Sequence, residues 1–253
     1  MKKITLFLLF SLFLSAPVMA QANKTIALKK PATPKTLAAK KQTKSMATEK
    51  NQTTMPGSDK SIRVKISTDS GIIIVKLYDS TPLHRDNFVK LVKEGFYDSL
   101  LFHRVIPQFM IQGGDPLSKN ASPGTILGNG GAEMTRIPAE FNASLFHKKG
   151  VLAAARDNNP QKASSACQFY IVEGRVSNDK ELDMIQQQKG IKFSPEQRQA
   201  YTTVGGTPFL DQDYTVFGEV VSGLEVIDKI INVPRDANNR PLGDVRMKME
   251  LLK

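Results

Sequence analysis

Fourteen consecutive residues, Phe102 to Asp115, read Phe-His-Arg-Val-Ile-Pro-Gln-Phe-Met-Ile-Gln-Gly-Gly-Asp. A buried strand accounts for Val105, Ile106, Phe109 and Ile111. It does not account for Arg104, which stays charged at any working pH, or for Gln112. A core strand with a snorkelling arginine would cover Arg104 alone. The two polar groups together need a reason.

The chain divides by charge before it divides by structure. Residues 1 to 60 hold eleven lysines and no arginine against Glu49 and Asp59, so nine of the eleven net positive charges sit there. The remaining 193 residues are nearly neutral and long enough to bury a core unaided. Met1 to Ala20 has Lys2 and Lys3, an apolar run from Ile4 to about Leu14, and small residues before Gln21. That is the pattern of a secretory signal peptide cleaved after Ala20. Pro17 and the shortness of the run argue against an uncleaved anchor across about 30 Å of hydrocarbon. No later segment reaches transmembrane length, and the mature chain is expected to be exported, to a periplasm or beyond. Cys167 is the only cysteine, so no internal disulfide can form; a small buried core residue is its expected role. Residues 21–60 are rich in Lys, Thr, Ala, Gln and Ser and lack aromatics, which reads as a disordered basic linker rather than a tether to lipid, cell wall or nucleic acid.

From Ser61 the pattern becomes that of a folded domain, spanning 61–253. Ile62, Val64 and Ile66 alternate with polar residues, Asp69-Ser70-Gly71 makes a turn, and Ile72 to Tyr78 completes a hairpin. Thr81-Pro82 reads as an N-cap and first helical position, with Phe88, Leu91 and Val92 as the apolar stripe of a helix ending near Gly95. Gly150 to Ala155 is a small-residue apolar run, Ser164 to Val172 reads as a strand, Leu224 to Ile230 as a short amphipathic helix, and Val245 to Leu251 as a closing strand. Residues 175–206 read as a helical insertion, with a helix-like run from Asn178 to Gln188 and a capping box at Ser194-Pro195-Glu196-Gln197. Many strands and few helices predict a mainly β fold: a closed antiparallel barrel of about eight strands capped by two helices. Gly124, Gly128, Gly130 and Gly131 raise the question of a phosphate cradle, but no Gly-x-Gly-x-x-Gly or Gly-Lys-Ser/Thr accompanies them.

The stretch 102–115 resembles the signature of the cyclophilins, the barrel family of peptidyl-prolyl cis-trans isomerases. Ser164 to Val172 is similar to that family's second hallmark, with Cys167 for the usual serine and Tyr170 for a phenylalanine. Phe209-Leu210-Asp211 with Tyr214 to Val221 is similar to the third. The resemblance covers about 61–253 apart from the insertion. It implies isomerisation of X-Pro bonds, with proline-containing polypeptides as partners, no nucleic acid, and a monomeric chain. Arg104 is the implied catalytic residue. Phe109, Met110, Phe169 and Leu210 are the implied walls of the proline pocket, Gln112 the group that hydrogen-bonds the substrate backbone, and Ala155 and Arg156 the lining of an adjoining groove. Phe209 and Tyr214 stand where many members have tryptophan and histidine. The first exchange removes an indole donor that phenylalanine cannot replace, so the resemblance does not extend to tight binding of cyclosporin.

The barrier to X-Pro rotation is roughly 18 to 20 kcal/mol, while cis lies only about 0.5 to 1 kcal/mol above trans. Twisting localises the nitrogen lone pair, so a donor aimed at that nitrogen stabilises the transition state above either ground state. No cofactor or metal is needed, and His84, His103 and His147 form no metal-ligand spacing. His84 and His147 read as surface residues and His103 as structural. The alternative to an isomerase is a chaperone or scaffold that grips proline-containing peptides without turnover.

Overall fold

The computed structural model describes residues 61–252; the readings of 1–20 as a signal peptide and 21–60 as a linker lie outside them. Eight antiparallel strands form one sheet: β1 (Arg63–Thr68), β2 (Gly71–Leu77), β3 (Phe102–Ile106), β4 (Met110–Gly113), β5 (Val151–Ala154), β6 (Phe169–Val172), β7 (Val216–Ser222) and β8 (Lys248–Leu252), in spatial order β3-β4-β6-β5-β7-β2-β1-β8. Four helices accompany them: α1 (Pro82–Lys93), α2 (Asp179–Lys189), α3 (Pro195–Thr203) and α4 (Leu224–Ile231).

The expected closed barrel is corrected to a curled sheet, a half-barrel. No ladder joins the edge strands β3 and β8. The chain before each meets at the isolated bridge Leu101↔Arg246, with backbone bonds from Met247 N–H to Leu100 O, from Phe102 N–H to Val245 O and from Ser99 N–H to Met247 O, each 2.9 Å. The Leu101 N–H, which points away from that edge, donates to the Ser118 hydroxyl at 3.0 Å. The fourteen-residue stretch, too, is not one strand. β3 and β4 flank a turn at 107–109, where Gln108 has φ 61°.

Both faces of this sheet are covered, so its central strands β5 and β6 are buried at every position. The inner face packs Val64, Ile66, Phe102, Val105, Ile111, Leu152, Phe169 and Ile171 against the stripes of α1 and α4. Phe88 of α1 meets Phe169 edge-on at 5.6 Å and Phe217 at 5.4 Å. The outer face carries a second apolar cluster of Met110, Ala153, Tyr170, Val172, Leu210 and Val216. In the segment 175–206, read from sequence as a helical insertion, Leu182, Phe193 and Tyr201 form a third buried cluster, with Phe146 packed against it. The segment's two helices open on capping boxes, at Asn178/Glu181 and at Ser194/Gln197 as the sequence predicts for the second.

Thr81 does not cap α1. Its hydroxyl turns to Tyr78 O, and the N-terminal amides of Leu83 and His84 donate instead to the two carboxylate oxygens of Glu140, at 3.0 and 2.9 Å. The same carboxylate faces His84 Nδ1 at 2.6 Å, and His84 Nε2 lies 2.9 Å from the Ser164 hydroxyl. His84 is therefore buried, not superficial; so is His147, at 2% and 0% exposure. Neither was legible as buried because each is satisfied by a residue distant in sequence. Cys167 is a buried free thiol, pushed up to about 11 mainly by burial.

Candidate active site

Register decides which side chains share the outer face. Arg104 pairs with Gln112, Gln112 with Tyr170, Tyr170 with Ala153, and Ala153 with Val216, a single row across β3, β4, β6, β5 and β7. Paired residues point to the same side, and their neighbours along each strand to the other. Ile106, Met110 and Val172 form the next row on the same face. The row carrying Phe102, Gly113 and Phe169 faces inward.

The structure thus brings Arg104, Met110, Gln112, Leu210 and Tyr214 together with Phe109, and leaves Phe169 out. Phe169 is 1% exposed among Phe88, Tyr97 and Phe102 in the main core. Tyr170, one residue on, stands on the site's face, with its ring 6.0 Å from that of Tyr214 and nearly perpendicular to it. The strand period separates the two once the register is known: Gln168 reaches Gln112, so Tyr170 and not Phe169 follows it on that face. Phe209 sits half-exposed at the rim, its ring 5.9 Å from Phe109. Arg156 lies over the Tyr214 ring at 4.5 Å and donates from Nε to Asp213 O at 2.8 Å, which holds that ring in place.

Among the described residues Arg104 makes one side-chain hydrogen bond, from Nη1 to Gln112 Oε1 at 3.1 Å. Gln112 Nε2 donates to Gln168 Oε1 at 3.1 Å, and Gln168 Nε2 donates to Gly128 O and Gly130 O at 3.0 and 2.9 Å. Gln168, missed in the sequence, is a buried glutamine in an apolar run, the same signal that singled out Gln112. This relay ties the guanidinium to the glycine turn and leaves its other donors without partners among the described residues. Burial lowers the Arg104 pKa, opposed by Tyr214, yet a guanidinium remains charged. Ala155, Gln168 and the 128–131 turn line a groove of about 380 Å³ beside it, with Arg136, Arg156 and Asp157 at its edges. Gly131 permits the turn: its φ is +81° and a Cβ there would lie 2.3 Å from Cys167 Sγ.

A charged donor with unengaged N–H groups, beside an apolar cluster and a groove, suits a peptide whose amide nitrogen needs a hydrogen bond. Residues 63–250 match the sequence model of the cyclophilin type peptidyl-prolyl cis-trans isomerase/CLD family. The chain is 34% identical over 188 residues to a protein of Staphylococcus haemolyticus named as a peptidyl-prolyl cis-trans isomerase, covering 74% of this chain and 89% of that one. A protein so named from Staphylococcus aureus is 34% identical over 185 residues, covering 73% and 88%. The fold is shared with a cyclophilin type peptidyl-prolyl cis-trans isomerase of Cryptosporidium parvum, at TM-score 0.57 and 24% identity over 76% of this chain and 98% of that one. The chain belongs to the cyclophilin-type peptidyl-prolyl cis-trans isomerases.

Proposed function

We propose that Arg104 lowers the rotational barrier by donating to the prolyl nitrogen as the X-Pro bond passes through its twisted geometry. The observation that carries this reading is the pairing of one protein hydrogen bond on Arg104 with a set of unengaged donors beside the apolar cluster. In that setting Phe109, Met110, Tyr170 and Leu210 hold the proline ring, and Phe209 and Tyr214 close the rim. Excluding water from such a pocket strengthens the guanidinium's field. Gln112 spends one lone pair on Arg104 and one N–H on Gln168, so it orients the guanidinium and keeps a second N–H and a second lone pair for the substrate backbone. Ala155 and Arg156 receive the chain preceding the proline. No covalent step is involved and no proton changes hands.

The substrates are taken to be exported, incompletely folded polypeptides, on the strength of the leader-like residues 1–20. Isomerisation of such chains is slow enough to limit folding. The test is kcat/KM on a short X-Pro peptide for Arg104→Ala and Arg104→Lys. We expect a fall of at least about tenfold, or roughly 1.4 kcal/mol of barrier, for alanine, and partial retention for lysine. An Arg104→Ala enzyme as fast as the wild type ends this reading.

A further inference from the structure

The insertion reaches the pocket from behind. Tyr201 of α3 is fully buried, its ring edge-on to Phe146 and Phe193 at 5.5 and 5.6 Å. Its hydroxyl donates to Asp211 Oδ2 at 2.7 Å. Asp211 Oδ1 accepts from the His147 backbone N–H and faces His147 Nδ1, both at 2.8 Å. With Nδ1 as the donor, His147 Nε2 is the acceptor for the Tyr170 hydroxyl at 3.0 Å, and the two rings stack at 14°. The four residues are between 0% and 4% exposed. Burial raises the pKa of both phenols, so both remain donors. A second tether lies outside: Lys189, the last residue of α2, donates to Phe209 O at 2.7 Å and pairs with Asp213. The insertion therefore holds the segment carrying Phe209, Leu210 and Tyr214 at two places, and holds Tyr170 through its hydroxyl.

We propose that Tyr201 is a positioning residue for catalysis, and that the chain Tyr201–Asp211–His147–Tyr170 makes the helical insertion a brace for the proline pocket. This rests on the placement of the pocket given above. Without the Tyr201 hydroxyl, Asp211 Oδ2 is a buried carboxylate oxygen lacking its partner, and the cheapest relief is movement of Asp211 with its neighbours Leu210 and Tyr214. A shift of about 1 Å there is enough to misplace the ring against Arg104.

The experiment measures kcat and KM on an X-Pro peptide for the full-length chain carrying Tyr201→Phe, Tyr170→Phe or both, with Arg104→Ala alongside. Each single change is expected to lower kcat/KM about fivefold, mostly in kcat, and the double variant no more than the worse single, because both cut one chain. Losses that multiply to about twenty-five-fold, or a Tyr201→Phe enzyme at the wild-type rate while Arg104→Ala is slow, overturn the brace. A wild-type rate in Arg104→Ala overturns the pocket reading instead, and the two failures are distinct. Should Tyr201→Phe not fold, Lys189→Met reports on the outer tether, with about a threefold fall in kcat expected and an unchanged kcat counting against the brace.

Discussion

At the scale of single residues, His103 is unusual in burying both ring nitrogens without a hydrogen-bond partner among the described residues. Burial brings its pKa down to about 4, with Arg104 and Arg240 adding to the fall and Asp115 and the Leu101 backbone opposing it. The folded protein thus binds fewer protons than the unfolded chain between that value and the ordinary 6.5. Stability is full above pH 6.5 and is lost as the pH falls toward about 4, by at most about 3 kcal/mol. Urea titrations across that window in His103→Leu should show a flatter pH dependence than the wild type. A residual slope belongs to His84, whose pKa burial also lowers against the pull of Glu140; an unchanged slope would place the effect elsewhere. At the rim, Phe209→Trp restores the donor that the family resemblance implies for cyclosporin. The gain expected in a fluorescence titration is roughly tenfold in affinity, about the worth of one hydrogen bond. No gain means the rim is not where that ligand would sit.

At the scale of elements, long-range partners replace local signals. The Thr81-Pro82 pattern located the start of α1, but the cap comes from Glu140, more than fifty residues away. Because that carboxylate also meets His84 Nδ1, Glu140→Ala should cost about 2 to 3 kcal/mol, read as a lower urea midpoint at unchanged slope. A change under about 0.5 kcal/mol would make the cap incidental. The glycine turn is the other case. Gly131→Ala forces a side chain into Cys167 Sγ at a left-handed φ, and should loosen the groove and lower stability by about 1 to 3 kcal/mol in the same titration. Within the signature stretch the residue types were legible and the hairpin was not: Pro107 and Gln108 break the strand at a turn whose apolar neighbours mask it.

For the whole molecule, what could be read in advance was what obeys a period. The alternation of β1, the stripe of α4 and the capping box of α3 follow from local geometry, and the polar intruders Arg104 and Gln112 marked the site. What could not be read was which side of the sheet each residue takes. Both faces are apolar, so Phe169 and Tyr170 look alike in sequence and only the cross-strand register separates them. The same ambiguity concealed His84, His147 and the brace, whose partners meet only after the sheet curls and the insertion folds back on the 209–214 segment. The half-barrel is a property of the whole sheet, whose edge strands β3 and β8 share no ladder.

The role proposed for Arg104 is to favour the twisted state over either planar one. Two-dimensional NMR exchange on a ¹³C-labelled X-Pro peptide gives the dissociation constants of the cis and trans forms and their rate of interconversion on the enzyme. For Arg104→Ala against the wild type the account predicts on-enzyme interconversion slower by at least about tenfold, with both dissociation constants changed less than about threefold. Interconversion at the wild-type rate, or a loss lying wholly in binding, would contradict it.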